Sequence, residues 1–216
     1  MSPRQCKVVR SVLRDSPEHL DVLTPRDYNY IRNNVYHVRR GVRPPLPKTI
    51  RDTCEVLNAT EIKTVKNESF VSHVDVENSI VIFSCDQNFG ILANSTCIYL
   101  DGTFDYCPKH FCQLFTIHVL HHECYVPVAY CLLPDKKQTT YTRLFTIIQQ
   151  KCTSFSPIDV VVDFEIAFHN AVRTVWPSSK LIGCRFHLAQ SWFRKIQELG
   201  LVRHYKEETE VGKWLH

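Results

Sequence analysis

The sequence predicts an α/β protein in which a mixed β-sheet follows a basic, mainly helical N-terminal region. Three observations predict it. Residues 1–66 are rich in proline and in basic residues, residues 69–133 contain alternating and short apolar runs typical of strands, and residues 134–200 alternate helical spacing with short apolar runs. With 216 residues of which 44% are hydrophobic, the chain is long enough to bury one sizeable core.

The N-terminal region carries the whole positive excess of the chain. Residues 1–66 hold 13 Lys and Arg against 7 Asp and Glu, whereas residues 67–216 hold 13 against 15. A basic region beside a slightly acidic body indicates an anionic partner such as nucleic acid. An ordinary solvated basic surface explains the same charges equally well.

Two helices are predicted in this region. The first begins at Thr24, with Pro25 in the first helical position, and runs to about Arg40, and the second spans about 49–56. Basic and apolar residues are interspersed in and just after the first helix, which suits a small module that contacts DNA, although an ordinary helical linker fits too. The candidates for DNA contact are Arg32, Arg39, Arg40 and Arg43.

Five strands are predicted next. Residues 70–76 and 80–83 form a first pair, residues 85–93 are helical or irregular, and residues 97–101, 111–120 and 125–133 form three consecutive strands with short links. Short links between strands are typical of an antiparallel meander.

The rest of the chain predicts alternating helices and parallel strands. A helix begins at Thr139 or Thr140, a strand spans 158–162, a helix about 165–176, a short strand 181–184 and a last helix about 187–199. From residue 97 onward the order is therefore β-β-β-α-β-α-β-α, which is the ribonuclease H-like arrangement. In that arrangement the first and fourth strands lie side by side at the centre of the sheet.

Two aspartates end strands that this arrangement makes neighbours. Asp101 follows the apolar run 97–100, and Asp163 follows the run 158–162. Adjacent carboxylates repel each other, and a divalent cation such as Mg²⁺ or Mn²⁺ removes that repulsion. The pair therefore predicts a metal site for phosphoryl transfer, while each aspartate taken singly is also explained as a turn residue or, for Asp163, as the cap of the next helix.

Four sequence motifs together resemble the MULE (Mutator-like) transposase domain. They are Asp101-Gly102-Thr103-Phe104, the segment from Pro134 to Tyr141, Asp163-Phe164-Glu165, and Gly183-Cys184-x-Phe186-His187. The resemblance runs from about Tyr99 to Gln197. The chain looks similar in particular to animal transposon-derived members of the family, which often carry a FLYWCH-type zinc finger upstream. Residues 1–66 contain no Cys and His at the spacing of such a finger.

The resemblance implies a ribonuclease H-like DDE transposase core over residues 67–216, with a DNA partner, Mg²⁺ or Mn²⁺, a nuclear location and a homodimer or higher multimer. No membrane association is implied. Asp101 and Asp163 match the first two catalytic acids and would bind the metal. The third, a glutamate, follows a helical insertion in the family, and no residue before His216 matches it, so we expect a core truncated before the third acid.

The expected function is thus that of a MULE-type transposase catalytic-core fragment. The parent family cleaves and joins DNA strands with metal ions, and this chain is expected to bind DNA without catalysing transposition. The alternative is a domesticated, non-enzymatic DNA- or chromatin-binding protein that acts through its basic N-terminal region. A ribonuclease H-like nuclease is a third hypothesis, weakened by the same lack of a late acid.

Other candidate ligands and rings are interpreted as structural. Cys184 and His187 match the family's Cys-x-x-His motif, but two ligands are too few for structural Zn²⁺, so Cys184 is expected to be buried and His187 to hydrogen-bond locally at the helix start. Four histidines are assigned to a hairpin rim rather than a metal site: His110, His118, His121 and His122. Eight aromatic residues are assigned to the core rather than to base stacking: Tyr99, Phe104, Tyr106, Phe111, Phe115, Tyr130, Phe164 and Trp192.

Overall fold

The computed structural model describes residues 24–42, 46–104, 106–207 and 210. Contacts divide the chain into two units, Met1–Pro47 and Lys48–His216. In the first unit the described element is helix α1 (Pro25–Val42), which confirms the predicted helix. It begins after Thr24, whose hydroxyl and backbone N–H donate hydrogen bonds to the Asp27 carboxylate over 2.6 and 2.8 Å.

Three of the four DNA-contact candidates belong to α1. Arg32 is exposed on the helix, and Arg39 and Arg40 belong to its last turns. Arg43 lies outside the described residues. Their role in DNA contact stays a prediction.

The described part of the second unit forms one sheet of seven strands. These are β1 (Val71–Asp75), β2 (Ile80–Phe83), β3 (Cys97–Thr103), β4 (Gln113–His121), β5 (Cys124–Leu133), β6 (Asp159–Val162) and β7 (Lys180–Gly183). Their order across the sheet is β1-β2-β5-β4-β3-β6-β7. The pairs β3–β6 and β6–β7 are parallel and the others are antiparallel.

Six further helices are described. They are α2 (Ile50–Ala59), α3 (Asp86–Ala93), α4 (Gln138–Lys151), α5 (Ile166–Val175), α6 (Arg185–Glu198) and α7 (Val202–Lys206). The predicted strands and helices are confirmed with small shifts of their ends, and residues 86–93 are helical rather than irregular. The prediction that the first strand of the meander lies beside the strand near residue 160 is confirmed by the parallel pairing of β3 with β6.

The β4–β5 hairpin turns on two residues with left-handed backbone. His122 and Glu123 have φ of 48° and 62°, the conformation that a two-residue type I′ turn requires at both central positions. The rings of His121 and His122 contact each other at this turn, with their centroids 4.2 Å apart. His118 lies within β4 and His110 precedes its opposite end, so the predicted rim holds two of the four histidines and not all of them.

A cluster of aromatic rings packs α4 and α5 against one face of the sheet. Phe168 of α5 stacks on Tyr141 and Phe145 of α4, at centroid distances of 5.0 and 5.7 Å, and meets Phe115 of β4 edge-on at 5.2 Å. All four side chains are buried. This cluster connects α5, which follows directly after the loop of Asp163, to the centre of the sheet.

Helix α2 packs on a second, smaller apolar cluster. Cys54 of α2 is fully buried with Val81, Phe111 and Leu132, and Val81 alternates along β2 with Ile80 and Ile82 of the main core. The helix begins with a capping box in which Thr49 and Asp52 exchange hydrogen bonds with each other's backbone N–H. The division of the chain at residue 66 stays a prediction.

Loss of the central ring should destabilise the second unit. We expect Phe168→Ala to lower the free energy of unfolding by about 3–5 kcal/mol, since it removes a buried ring and leaves a cavity. Urea denaturation followed by circular dichroism measures this. Ile166→Ala in the same helix is the control, because the Ile166 side chain is 74% exposed and its truncation should cost less than about 0.5 kcal/mol. Equal losses in the two variants would contradict the packing described.

Candidate functional site

The parallel register of β3 and β6 brings the two predicted acids to the same level. Tyr99 lies opposite Val161, so continuing the register along both strands sets Asp101 level with Asp163. Strand β3 does not end at Asp101 as predicted. It continues to Thr103, because the antiparallel pairing with β4 continues to Leu114.

The imidazole of His187 lies close to both carboxylates at this edge of the sheet. His187 Nε2 lies 3.6 Å from Asp101 Oδ1, and His187 Nδ1 lies 3.9 Å from Asp163 Oδ1. The ring reaches this point because α6 begins directly after β7, whose end is fixed by a 2.8 Å hydrogen bond from the Cys184 N–H to the Val162 carbonyl. The structure thus brings Asp101, Asp163 and His187 together, and we call them the carboxylate edge.

The carboxylate edge is open to solvent. The side chains of Asp101 and Asp163 are each 46% exposed, while that of His187 is 22% exposed. The acids are therefore within reach of an ion or of a phosphate group from outside.

The loop after β6 fixes Asp163 through its backbone. The Phe164 N–H donates to Asp163 Oδ1 over 2.6 Å, and His169 Nε2 donates to the Asp163 carbonyl over 2.6 Å, which sets the tautomer of that imidazole. The N-cap position of α5 is occupied by Glu165, without a side-chain capping hydrogen bond, and not by Asp163. The alternative explanation of Asp163 as a helix cap is therefore wrong.

The predicted environment of the Cys-x-x-His motif is wrong in two respects. Cys184 is half-buried at the N-cap of α6 instead of buried, and His187 faces the two carboxylates instead of bonding locally. Its Nδ1 is buried and has no hydrogen-bond partner among the described residues. The first turn of α6 lies over the carboxylate edge, and that position directs the imidazole away from its own backbone.

The acids fit part of what a magnesium or manganese site needs. Mg²⁺ is commonly held by one or two carboxylates, with water and substrate phosphates completing the octahedron, and Asp101 and Asp163 supply two such groups on one accessible edge. Within the described ranges, no group of three or more His, Cys, Asp and Glu side chains is spaced to hold a metal ion. The catalytic and metal-binding roles of Asp101 and Asp163 stay predictions.

A buried polar chain runs next to the carboxylate edge. Gln113 Nε2 donates to the Tyr141 hydroxyl over 2.8 Å, and that hydroxyl donates to Glu165 Oε2 over 3.4 Å. Gln113 and Tyr141 are each 1% exposed. Burial raises the pKa of the Tyr141 hydroxyl above its usual range, so the group remains a donor. The chain connects β4, α4 and the start of α5.

Two glycines of the motifs allow close contacts at this edge. A Cβ atom on Gly102 would lie 2.7 Å from Gln113 Oε1, and one on Gly183 would lie 2.7 Å from the Phe164 ring. A larger residue at Gly102 would displace an amide that is buried and hydrogen-bonded. A larger residue at Gly183 would lift the Phe164 ring from the end of β7.

The aromatic assignments are wrong for half of the eight residues. Phe111 and Phe115 are buried as predicted, and Tyr99 and Tyr130 are partly buried. The other four are exposed by 44–83%: Phe104, Tyr106, Phe164 and Trp192. Phe104 and Phe164 follow directly on the strand ends that carry the acids, where the described residues do not cover the rings.

Comparison with protein families identifies the segment that contains the carboxylate edge. Residues 97–191 match the family model of the MULE transposase domain. The predicted resemblance is confirmed over this segment, which includes Asp101, Asp163, Cys184 and His187. A comparison with curated proteins found no match to the chain. None of the described helices is both long and apolar enough to span a membrane.

Two residues beside the carboxylate edge are not predicted by the sequence patterns. Gln113 is a polar residue at the start of an apolar strand, and Glu165 is too close in sequence to Asp163 to indicate a third acid. The signal that points to them is Tyr141 on an apolar helix face, since a buried hydroxyl needs polar partners nearby. The position of His187 over the acids has no signal in the local spacing.

Removal of the Tyr141 hydroxyl should break the buried polar chain. We expect Tyr141→Phe to lower the free energy of unfolding by about 1–3 kcal/mol, because Gln113 Nε2 then loses its partner in a buried position. Urea denaturation measures the loss. Tyr106→Phe is the control, since the Tyr106 side chain is 83% exposed and loses nothing of this kind. An unchanged midpoint in Tyr141→Phe would show that the hydroxyl carries no net stability.

The charge of Asp101 should be detectable at a neighbouring histidine. Burial lowers the pKa of His118 below its usual value, and the Asp101 carboxylate partly offsets this by raising it. We expect Asp101→Asn to lower the pKa of His118 further, as measured by NMR titration of its ring proton. Asp163→Asn is the matched control and should leave that pKa unchanged. A rise of the His118 pKa in the Asp101 variant would contradict this electrostatic coupling.

Proposed function

We propose that this chain is a transposase-derived, DNA-binding protein whose MULE domain retains two acids of a metal-dependent catalytic site but does not turn over. The observation that carries the proposal is the carboxylate edge: Asp101 and Asp163, level on neighbouring parallel strands, face one imidazole inside a segment that matches the MULE transposase domain.

The strand order supports a ribonuclease H-like fold for the domain. Omitting the β1–β2 hairpin leaves β5-β4-β3-β6-β7, in which three antiparallel strands are followed by two parallel ones. Parallel strands place their carboxyl ends at one edge of the sheet, and ligands of open α/β sheets bind there. Asp101 and Asp163 lie at that edge.

Asp101 and Asp163 would hold Mg²⁺ or Mn²⁺ in this proposal. A bound ion of this kind activates a water or hydroxyl nucleophile and stabilises the leaving oxygen of a phosphodiester. The two half-exposed carboxylates would hold the ion, and the imidazole of His187 lies 3.6 Å from Asp101 Oδ1 and 3.9 Å from Asp163 Oδ1. Two carboxylates are fewer than a site with two ions needs, so we expect weak ion affinity and no strand cleavage or joining by this chain.

DNA is the partner that a transposase domain implies in general. The exposed Arg32 on α1 and the exposed Lys136, Lys137 and Arg185 near the carboxylate edge are the described cations that support it. We further propose a nuclear location, where DNA is available, and self-association into a homodimer or higher multimer. The domesticated DNA- or chromatin-binding protein remains the second candidate, supported by the exposed Arg32 in a separate unit.

The proposal is tested by DNA binding and metal binding measured on the same protein. We expect the full chain to bind labelled duplex DNA, with an affinity that falls as salt rises because phosphate contacts release counterions. Calorimetry with Mn²⁺ should give weak binding that is lost in Asp101→Asn and kept in Asp86→Asn, an acid at the start of α3. Supercoiled plasmid should not be nicked with Mg²⁺ or Mn²⁺.

Two results would contradict different parts of this proposal. Absence of binding to both duplex and single-stranded DNA even at low salt would remove DNA as the partner. Plasmid nicking that disappears in Asp101→Asn would show an active enzyme and overturn the expected inactivity. Replacing the four arginine candidates of the N-terminal region by glutamine separates the two candidate functions. Loss of all salt-dependent affinity for DNA would favour the non-enzymatic protein that binds through that region.

A further inference from the structure

We propose that three exposed aromatic rings at the carboxylate edge stack on unpaired nucleobases of a DNA strand whose phosphates lie beside the acids. We call Phe104, Phe164 and Phe186 the aromatic rim. The inference rests on the proposed function, because it names the form of DNA that the same site takes. Its partner is melted or single-stranded DNA rather than an intact duplex.

Each ring of the rim follows the end of a strand that forms the carboxylate edge. Phe104 comes directly after β3, Phe164 is next to Asp163 after β6, and Phe186 lies in the first turn of α6 after β7. The side chains are 44%, 49% and 67% exposed. Phe186 also precedes His187, whose imidazole meets its ring at a centroid distance of 5.6 Å. The three rings therefore follow the ends of three neighbouring strands, β3, β6 and β7.

One ring of the aromatic rim, that of Phe164, packs against the end of β7. The Phe164 ring lies against the backbone of Gly183, where even a Cβ atom would approach to 2.7 Å. One side of this ring is thus held by β7, while about half of the side chain remains exposed. A ring fixed in this way loses little conformational freedom when a flat partner stacks on it, and every nucleobase presents such a flat face.

Cations stand beside the rings. Lys136 Nζ lies 3.5 Å from the centroid of the Phe104 ring, and Arg185 is exposed next to Phe186. Among the described residues, neither Lys136 nor Arg185 forms an ion pair with a carboxylate. Rings next to cations that lack a carboxylate partner complement a strand that alternates bases and phosphates. They suit neither an apolar protein helix nor an intact duplex, whose base faces are hidden.

The experiment compares single-stranded and duplex oligonucleotides of one sequence with the full chain. Anisotropy titrations at fixed salt should show the single strand bound at least about tenfold more tightly than the duplex. Phe104→Leu, Phe164→Leu and Phe186→Leu should each weaken single-strand binding about five- to tenfold and duplex binding less than about twofold, because leucine keeps an apolar group but removes the stacking face. Phe186→Tyr keeps a ring and should retain the affinity.

The matched control lies at the other end of the strands. Tyr125 is 63% exposed on β5, next to the β4–β5 turn. Its ring meets the Tyr99 ring edge-on, with the two centroids 4.8 Å apart. Tyr125→Leu removes an exposed ring remote from the acids and should change neither affinity. A 2-aminopurine base in the single strand gives a second readout, since stacking on the rim quenches its fluorescence.

The possible outcomes distinguish failure of the aromatic rim from failure of DNA binding. Binding of duplex and single strand with equal affinity, unchanged by the leucine variants, would overturn the rim while leaving DNA binding intact. No binding of either DNA would overturn both. Concentration-dependent dimerisation in sedimentation, lost in Phe186→Leu without any change in DNA affinity, would show that a second copy covers the rim and would also overturn the inference.

Discussion

The parallel pairing of β3 with β6 is the constraint on which the candidate site depends. Ile98, Leu100, Val160 and Val162 are buried in the main core, and they alternate with Tyr99, Asp101, Val161 and Asp163. Burial of one face of both strands therefore fixes their register and turns both acids to the other face. A slip of one residue would bury a carboxylate, which costs several kcal/mol when it is unpaired. The hydrophobic core thus determines which polar groups can meet.

The two acids contact neighbouring polar groups at this edge. The Phe164 N–H donates to Asp163, and the imidazole of His187 lies within 4 Å of both carboxylates. Nearby, Gln113, Tyr141 and Glu165 connect three elements through one buried and one part-buried hydrogen bond. Such a network costs free energy if one member is removed, because the others are left unsatisfied. The carboxylate edge is therefore preorganised, and its half-exposed carboxylates are accessible to a ligand from solvent.

Sequence patterns predicted the elements of the fold well and the site only in part. Alternation and helical spacing located β1 to β7 and the helices α1, α2, α4, α5 and α6, while α3 was left open as helical or irregular. The pairing of β3 with β6 followed from connection rules. The positions of Asp101 and Asp163 then followed from strand ends. The contact of His187 with the acids did not, because it depends on where α6 lies relative to β3. The exposure of Phe104 and Phe164 was missed for a related reason, since average burial describes a residue type and not the tertiary surroundings that cover a given ring.

The proposed loss of catalysis and the proposed retention of DNA binding have different physical bases. Ion binding needs several oxygen ligands at once, so the two carboxylates of this edge are expected to bind an ion weakly. Stacking and phosphate contacts act one at a time, through Phe104, Phe164, Phe186 and the adjacent Lys136 and Arg185. None of these five side chains is a candidate metal ligand. In this proposal the domain loses the chemistry of the carboxylate edge but keeps DNA binding through the aromatic rim, whereas the alternative, non-enzymatic protein binds DNA through its basic N-terminal region.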